Sequence, residues 1–168
     1  MATKLENLEL EIAHYKNFEK HIPNSDKFCC STVDMLLQSG LIQVSTAFEH
    51  ALANLGGLTV TSKNTEDLSD GSDAKLSTVR VHRSGKSYNA PVSNISGKTG
   101  ILRVQVYERK TNQFYYFCIP RAAYEHIPPA GNIEISFELD GSPKKTPSRT
   151  VKQNWWDYEV SSFEELSK

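Results

Sequence analysis

Apolar positions recur at helical spacing in the first third of the chain and alternate with polar ones beyond it. Leu5, Leu8, Ile12 and Tyr15 share one face of a helix predicted over 3–21, with charged residues between them. That stripe suits packing within the domain or on a second copy. Pro23 interrupts the pattern, and Ser25 or Asp26 supplies the cap of a second helix running to Gln38. After Ser39-Gly40, Leu41, Val44, Phe48, Ala51, Leu52 and Leu55 form a cleaner stripe. Gly56-Gly57 ends that third helix, as glycine does where a left-handed residue is needed.

From Leu58 the period changes to two. Residues 58–61 read as a short strand, 62–72 as a polar, acidic loop, and 73–82 as a second strand. The segment 83–100 is rich in Gly, Ser, Asn and Pro and reads as a long connection. Residues 101–108 form the clearest strand, with Leu102, Val104 and Val106 facing one way. A turn over 110–113 leads to an apolar strand over 114–119, ended by Pro120. A helical turn over 121–126 stops at Pro128-Pro129, and 132–139 is a further strand. From Asp140 the chain reads as loop, with Trp155, Trp156 and Tyr158 suited to core packing or a subunit contact, then a short acidic tail. The expected fold class is α+β: N-terminal helices followed by a mostly antiparallel or mixed β-sheet with a short helix. The expected organisation is a single domain over 1–168. It comprises a helical part (1–57), a sheet part (58–140) and a basic, aromatic C-terminal segment (141–168).

Composition is compatible with that domain. A chain of 168 residues buries roughly 70% of its unfolded surface on folding. Its 38% hydrophobic and 23% charged residues are ordinary for a globular protein. No apolar run approaches the roughly 18 residues that span a bilayer. The charged, amphipathic N-terminus is unlike a signal peptide, so a cytoplasmic location away from membranes is expected. Cys29, Cys30 and Cys118 lack zinc-site spacing and read as reduced, buried thiols.

Net charge is −1, but its distribution is uneven. Residues 74–107 contain no acid, nor do residues 141–156. Arg80, Arg83, Lys86, Lys98, Lys144, Lys145, Arg149 and Lys152 fall there and are candidate nucleic-acid contacts on a basic face. Acids crowd instead into 66–75, where Glu66, Asp67, Asp70 and Asp73 precede Lys75 at a strand entrance. A second charged group, Glu108-Arg109-Lys110, ends the strongest strand. If the strand beginning at Asp73 pairs antiparallel with the strand ending at Glu108, Asp73 lies beside Glu108 and Lys110. Residues two apart on a strand share a face, so Glu108 and Lys110 would point the same way. Two carboxylates can hold Mg²⁺ through hard oxygen ligands, and the lysine can orient water or offset phosphate charge.

With Glu49 on the preceding helix, this order of residues resembles the PD-(D/E)xK nuclease superfamily, over roughly residues 41–125. The resemblance implies a restriction-endonuclease-like core, with Asp73 and Glu108 as metal ligands, Lys110 as the orienting lysine and Glu49 as an auxiliary ligand. It also implies Mg²⁺-dependent, restriction-type and site-specific cleavage of double-stranded DNA, by a homodimer because one centre cuts one strand. The chain departs from the pattern in having Ser72 rather than proline before Asp73, and a long gap from Asp73 to Glu108. A second registration also exists. Asp73-Ala74-Lys75 is itself acid-x-Lys, with Asp70 or Asp67 as the other carboxylate. The first registration is preferred on sequence. The alternative function is a non-enzymatic nucleic-acid-binding or protein-interaction domain using the same basic face. His82 with Asn89 is a weaker metal-nuclease motif, and His14 and His21 read as helix-surface residues. P-loop, GxGxxG and GxSxG motifs are absent from the sequence.

Overall fold

The computed structural model describes residues 3–22, 35–36, 38–40, 43–63, 65–145 and 153–168. Helix α1 (Lys4–Phe18) starts with a capping box, in which the Thr3 hydroxyl accepts from Glu6 N–H and the Glu6 carboxylate accepts from Thr3 N–H. It tightens into a 3₁₀ turn at Glu19–His21. Helix α2 (Val44–Gly56) ends on Gly57, whose φ of 67° is the left-handed conformation that the sequence anticipated. The predicted helix over 25–38 lies outside the described residues except for Met35, Leu36 and Gln38, which are helical. Leu41, Cys29, Cys30, Arg149 and Lys152 also lie outside them.

Beyond the helices come β1 (Asp73–Thr78), β2 (Arg80–Val81), β3 (Tyr88–Val92), β4 (Leu102–Glu108), β5 (Gln113–Ile119), the short helix α3 (Arg121–Tyr124) and β6 (Ile133–Phe137). A 3₁₀ turn (Trp155–Tyr158), β7 (Glu159–Val160) and helix α4 (Phe163–Leu166) follow. The class is α+β, as the hydrophobic pattern implied. The strands form two sheets, ordered β1-β4-β5-β7 and β2-β3-β6.

Alternation along the central strands separates two cores. Leu102, Val104, Val106, Phe117 and Ile119 face the three-stranded sheet and pack against Ala90, Val92, Ile133, Ile135 and Phe137. Residues of opposite parity, Leu76, Tyr116 and Cys118, face the helices and pack with Phe18, Phe48, Leu52, Phe163 and Leu166. The result is three layers: helices, four-stranded sheet, three-stranded sheet. Trp155 and Trp156 are buried in the first core. The Trp156 indole N–H donates to Ser136 O, and its ring meets Tyr115, Phe117 and Phe137 edge-on. The aromatic patch is therefore core.

Several sequence expectations change. Residues 58–61 make only an isolated antiparallel bridge, Val60 to Leu68. The strand over 73–82 divides at Val79, with β1 in one sheet and β2 in the other. The supposed connection 83–100 contains β3, and the supposed C-terminal loop contains β7 and α4. Most consequential, β1 pairs with β4 in parallel, Asp73 opposite Leu102 and Thr78 opposite Tyr107. A parallel pair needs a crossover rather than a hairpin. The chain supplies one by building β2 and β3 into the second sheet before returning.

His14 is buried rather than on the helix surface. One ring nitrogen meets Thr78 Oγ1 at 3.0 Å and the other Gln105 Nε2 at 3.0 Å. Asn17 completes the network, donating to Gln105 Oε1 and to the Tyr116 hydroxyl. Burial depresses the imidazole from 6.5 to about 4, against a smaller opposing effect from the Ser77 backbone. His21 is also largely covered, its ring stacked 4.6 Å from that of Phe163.

His14 binds its proton more weakly folded than unfolded. Its contribution is therefore fully present above about pH 6.5 and lost as pH falls toward about 4, amounting to about 3 kcal/mol. The difference in unfolding free energy between wild type and His14→Asn should carry that acid dependence, and the His14 ring protons should titrate near pH 4 by NMR.

Candidate functional site

The acidic segment after α2 folds into a compact turn. Thr61 N–H donates to Asp67 O and Ser69 N–H to Thr59 O, so residues 59–61 and 67–69 run antiparallel. Asp67 and Leu68 N–H both donate to Ser72 O, which closes the turn just before β1. Asp70 Oδ1 accepts from Ser72 N–H at 3.0 Å and from the Ser72 hydroxyl at 2.5 Å. Its other oxygen meets the Arg103 guanidinium at 2.7 Å.

Arg103 is 3% exposed. It also donates to Ser72 Oγ and to Leu166 O, so one buried fork ties turn, sheet and C-terminal helix together. Burial acts to raise the Asp70 carboxyl, but the bonds from Ser72 and Arg103 outweigh it and hold it below the usual range. Asp70 is thereby committed to the framework.

Asp73, the first residue of edge strand β1, is 1% exposed. One of its carboxylate oxygens lies 2.9 Å from Lys75 Nζ and the other 2.8 Å from Lys98 Nζ. Neither oxygen has a directional hydrogen bond. The pairing is ionic rather than a locked network. Lys98 comes from the 93–100 loop, which folds back over the start of β1. Lys75 Nζ also donates to Asn94 O in that loop, at 3.2 Å.

Two further carboxylates face this pair. Asp67 Oδ2 accepts from Ala74 N–H at 2.9 Å, which aims the side chain at Asp73. Burial raises the Asp67 carboxyl, against the Ala74 N–H, and the charge of Asp73 raises it further. Glu49 enters from α2, beside buried Phe48, and is half-buried. Burial raises its carboxyl and the charges of Asp67 and Asp73 add to this, taking it from 4.5 to about 7 despite Lys75 and Lys98. Asp73 and its two ammonium groups thus occupy the mouth of β1, within the electrostatic field of Asp67 and Glu49. Asp67, Asp73 and Lys75 are residues of the second registration.

The first registration is not formed. Because β1 and β4 are parallel, Asp73 lies opposite Leu102, and Glu108 is six residues further along β4. At about 3.3 Å per residue that places them about 20 Å apart. Glu108 is fully buried and saturated by protein donors. It accepts from the Tyr88 hydroxyl at 2.6 Å, Lys110 N–H at 2.9 Å, Thr111 N–H at 2.8 Å and the Thr111 hydroxyl at 2.6 Å. Burial acts to raise Glu108, but those donors win and lower it, while burial and Glu108 together push the Tyr88 hydroxyl well up. Lys110 Nζ lies over the Tyr88 ring at 4.2 Å and donates to Leu139 O. Glu108 and Lys110 therefore pin the β4–β5 turn to the second sheet.

The candidate phosphate contacts also divide. Arg80, Arg83 and Lys86 are exposed on the β2–β3 hairpin, and Lys144 is exposed. Lys145 pairs with Glu159 at 3.0 Å and lies over Trp156, and Lys98 belongs to the acidic cluster. Sequence reasoning did not link Lys98 to Asp73, because only the returning loop brings the two together.

The donor chemistry at the cluster suits a hard divalent cation, with carboxylate oxygens the acidic donors. Among the described residues, however, no three His, Cys, Asp or Glu side chains stand close enough to enclose a metal. The ammonium groups hold Asp73 in that role. No protein-family model matches the chain, and no curated protein or solved structure matches it significantly. Among the described residues, no helix is long and apolar enough to cross a membrane.

Two measurements test this description. The folded carboxyl of Glu49 is raised, so its contribution is present below about pH 4.5 and lost as pH rises through about 7. The unfolding free energy of wild type relative to Glu49→Gln should therefore fall as pH rises from about 5 to about 8. Glu108→Ala should cost about 2–4 kcal/mol of unfolding free energy by urea titration, since it strands buried donors.

Proposed function

We propose that this protein is a Mg²⁺-dependent endonuclease acting on double-stranded DNA, with its centre at the mouth of β1. The observation that carries the reading is Asp73, buried at the start of β1, paired with Lys75 and Lys98 at 2.9 and 2.8 Å and within the field of Asp67 and Glu49. In this reading Asp73-Ala74-Lys75 is the acid-x-Lys element of a PD-(D/E)xK nuclease, Asp67 is its preceding acid and Glu49 the acid from the helix.

Asp73 and Asp67 would hold the cation, with Glu49 as the auxiliary ligand. Once bound, the ion polarises the phosphodiester and makes a water nucleophilic near neutral pH. With a cation on the carboxylates, both lysines would be left to face the substrate phosphate, Lys75 to orient the attacking water and Lys98 to offset charge building on the phosphate. Burial of Asp73 beneath the 93–100 loop keeps competing solvent from its oxygens. One centre cuts one strand, so duplex cleavage calls for two copies of the chain, in keeping with a homodimer.

Plasmid relaxation with Mg²⁺ tests the reading. Wild type should nick or linearise DNA, whereas Asp73→Asn and Lys75→Ala should each lose about a hundredfold or more in rate. Lys110→Ala should stay within a few-fold of wild type. Cleavage that survives Asp73→Asn would reject the site. DNA binding without cleavage under any divalent ion would favour a non-enzymatic nucleic-acid-binding domain.

A further inference from the structure

β1, Val79 and β2 form one bent strand, and β3 returns alongside it. Arg80 faces Asn89 and Val81 faces Tyr88 in register. The Ser77 hydroxyl donates to Pro91 O at 2.6 Å, and Lys75 Nζ donates to Asn94 O. The segment read from sequence as a loose connection is thus the return arm of a β-ribbon. Its base carries the acidic cluster. Its tip is closed by His82 N–H to Ser87 O and Gly85 N–H to His82 O, both 2.8 Å.

The tip projects beyond the sheet. β3 pairs with β6 from Val92 back to Tyr88, which lies opposite Phe137, and no further. Residues 80–86 are all exposed, and none is acidic. Glu134 on β6 lies within the field of Arg80 and His82 and partly balances them. Arg83 and Lys86 have no ion-pair partner among the described residues.

We infer that this ribbon tip, residues 80–87, is an arm that enters the major groove of duplex DNA, with Arg83 and Lys86 on the phosphates. Three observations favour this occupant. A two-stranded ribbon is the width that the major groove, about 12 Å across, admits. From Lys75 to Ser84 the ribbon reaches at most about 30 Å, less than one B-form turn of about 34 Å. A duplex can therefore touch base and tip together. The tip also offers no Phe, Tyr or Trp on which unpaired bases would stack, since Tyr88 is buried at its root. The inference takes from the proposed function only that the ligand is duplex DNA, and does not require that it be cut.

The test is binding of a mixed-sequence duplex in EDTA across a salt series, with the intact chain. Arg83→Ser/Lys86→Ser should weaken binding by roughly tenfold or more at low salt. It should also make the slope of log K against log salt shallower by about 1.8, the release expected for two phosphate contacts. Circular dichroism and melting temperature should be unchanged, because both side chains are exposed. A duplex whose major groove is filled by glucosylated hydroxymethylcytosine should bind wild type as weakly as the plain duplex binds the variant.

An unchanged affinity and slope in the variant would overturn the inference. So would equal loss on single-stranded and duplex DNA, indifference to the glucosylated duplex, or failure of wild type to bind. None of these outcomes depends on cleavage. A chain that binds through the tip but never cuts would sink the nuclease reading alone, and one that cuts with the tip neutralised would sink the arm alone.

Discussion

Gly100 lies so close to Gly71 that a Cβ on it would collide with the Gly71 carbonyl. On the far side of that contact, Asp73 N–H donates to Ile101 O at 2.9 Å. Together these two features seat the start of β4 beside the start of β1 and set the parallel register. The other placements depend on that register. It sends Glu108 to the distal edge, where it becomes a turn anchor. It brings Arg103 under Asp70 and Ser72, and Gln105 under His14. It also leaves β1 on the edge of its sheet, open to Glu49 from α2.

Charge at the mouth of β1 is balanced by geometry rather than by hydrogen bonding. Elsewhere the molecule saturates its buried ions: Glu108 has four donors, and Arg103 has three acceptors. Asp73 is also deeply buried, yet its oxygens face two lysine ammonium groups at ionic distance, with Asp67 beside them. Buried polar groups left without directional partners are costly.

Helices α1 and α2 and the β4–β5 hairpin were legible because their hydrophobic periods are clear and glycine or proline stops them. β3 was not, because Asn89 and Pro91 are turn-forming residues inside a strand. Only the alternation of Tyr88, Ala90 and Val92 marks it. Missing β3 turned a crossover into a presumed hairpin, and with it parallel pairing into antiparallel. That error set Glu108 beside Asp73, whereas the parallel register puts them at opposite ends of the β1–β4 pair. Glu108-Arg109-Lys110 and Asp73-Ala74-Lys75 are equivalent as strings, and only topology tells which acid meets other acids. Asp67 and Glu49 were readable as candidates and Lys98 as a phosphate contact, but no local pattern links that loop lysine to Asp73.

The first and last helices meet in one core. Phe163 of α4 packs against the rings of Phe18, His21 and Phe48, and Arg103 holds the carbonyl of Leu166. The central parallel pair likewise joins segments separated by two strands of the other sheet. Few of these contacts are local, so loop closure must precede most of the burial that rewards it. Chains rich in such non-local pairings fold more slowly than helical bundles, whose contacts are mostly local.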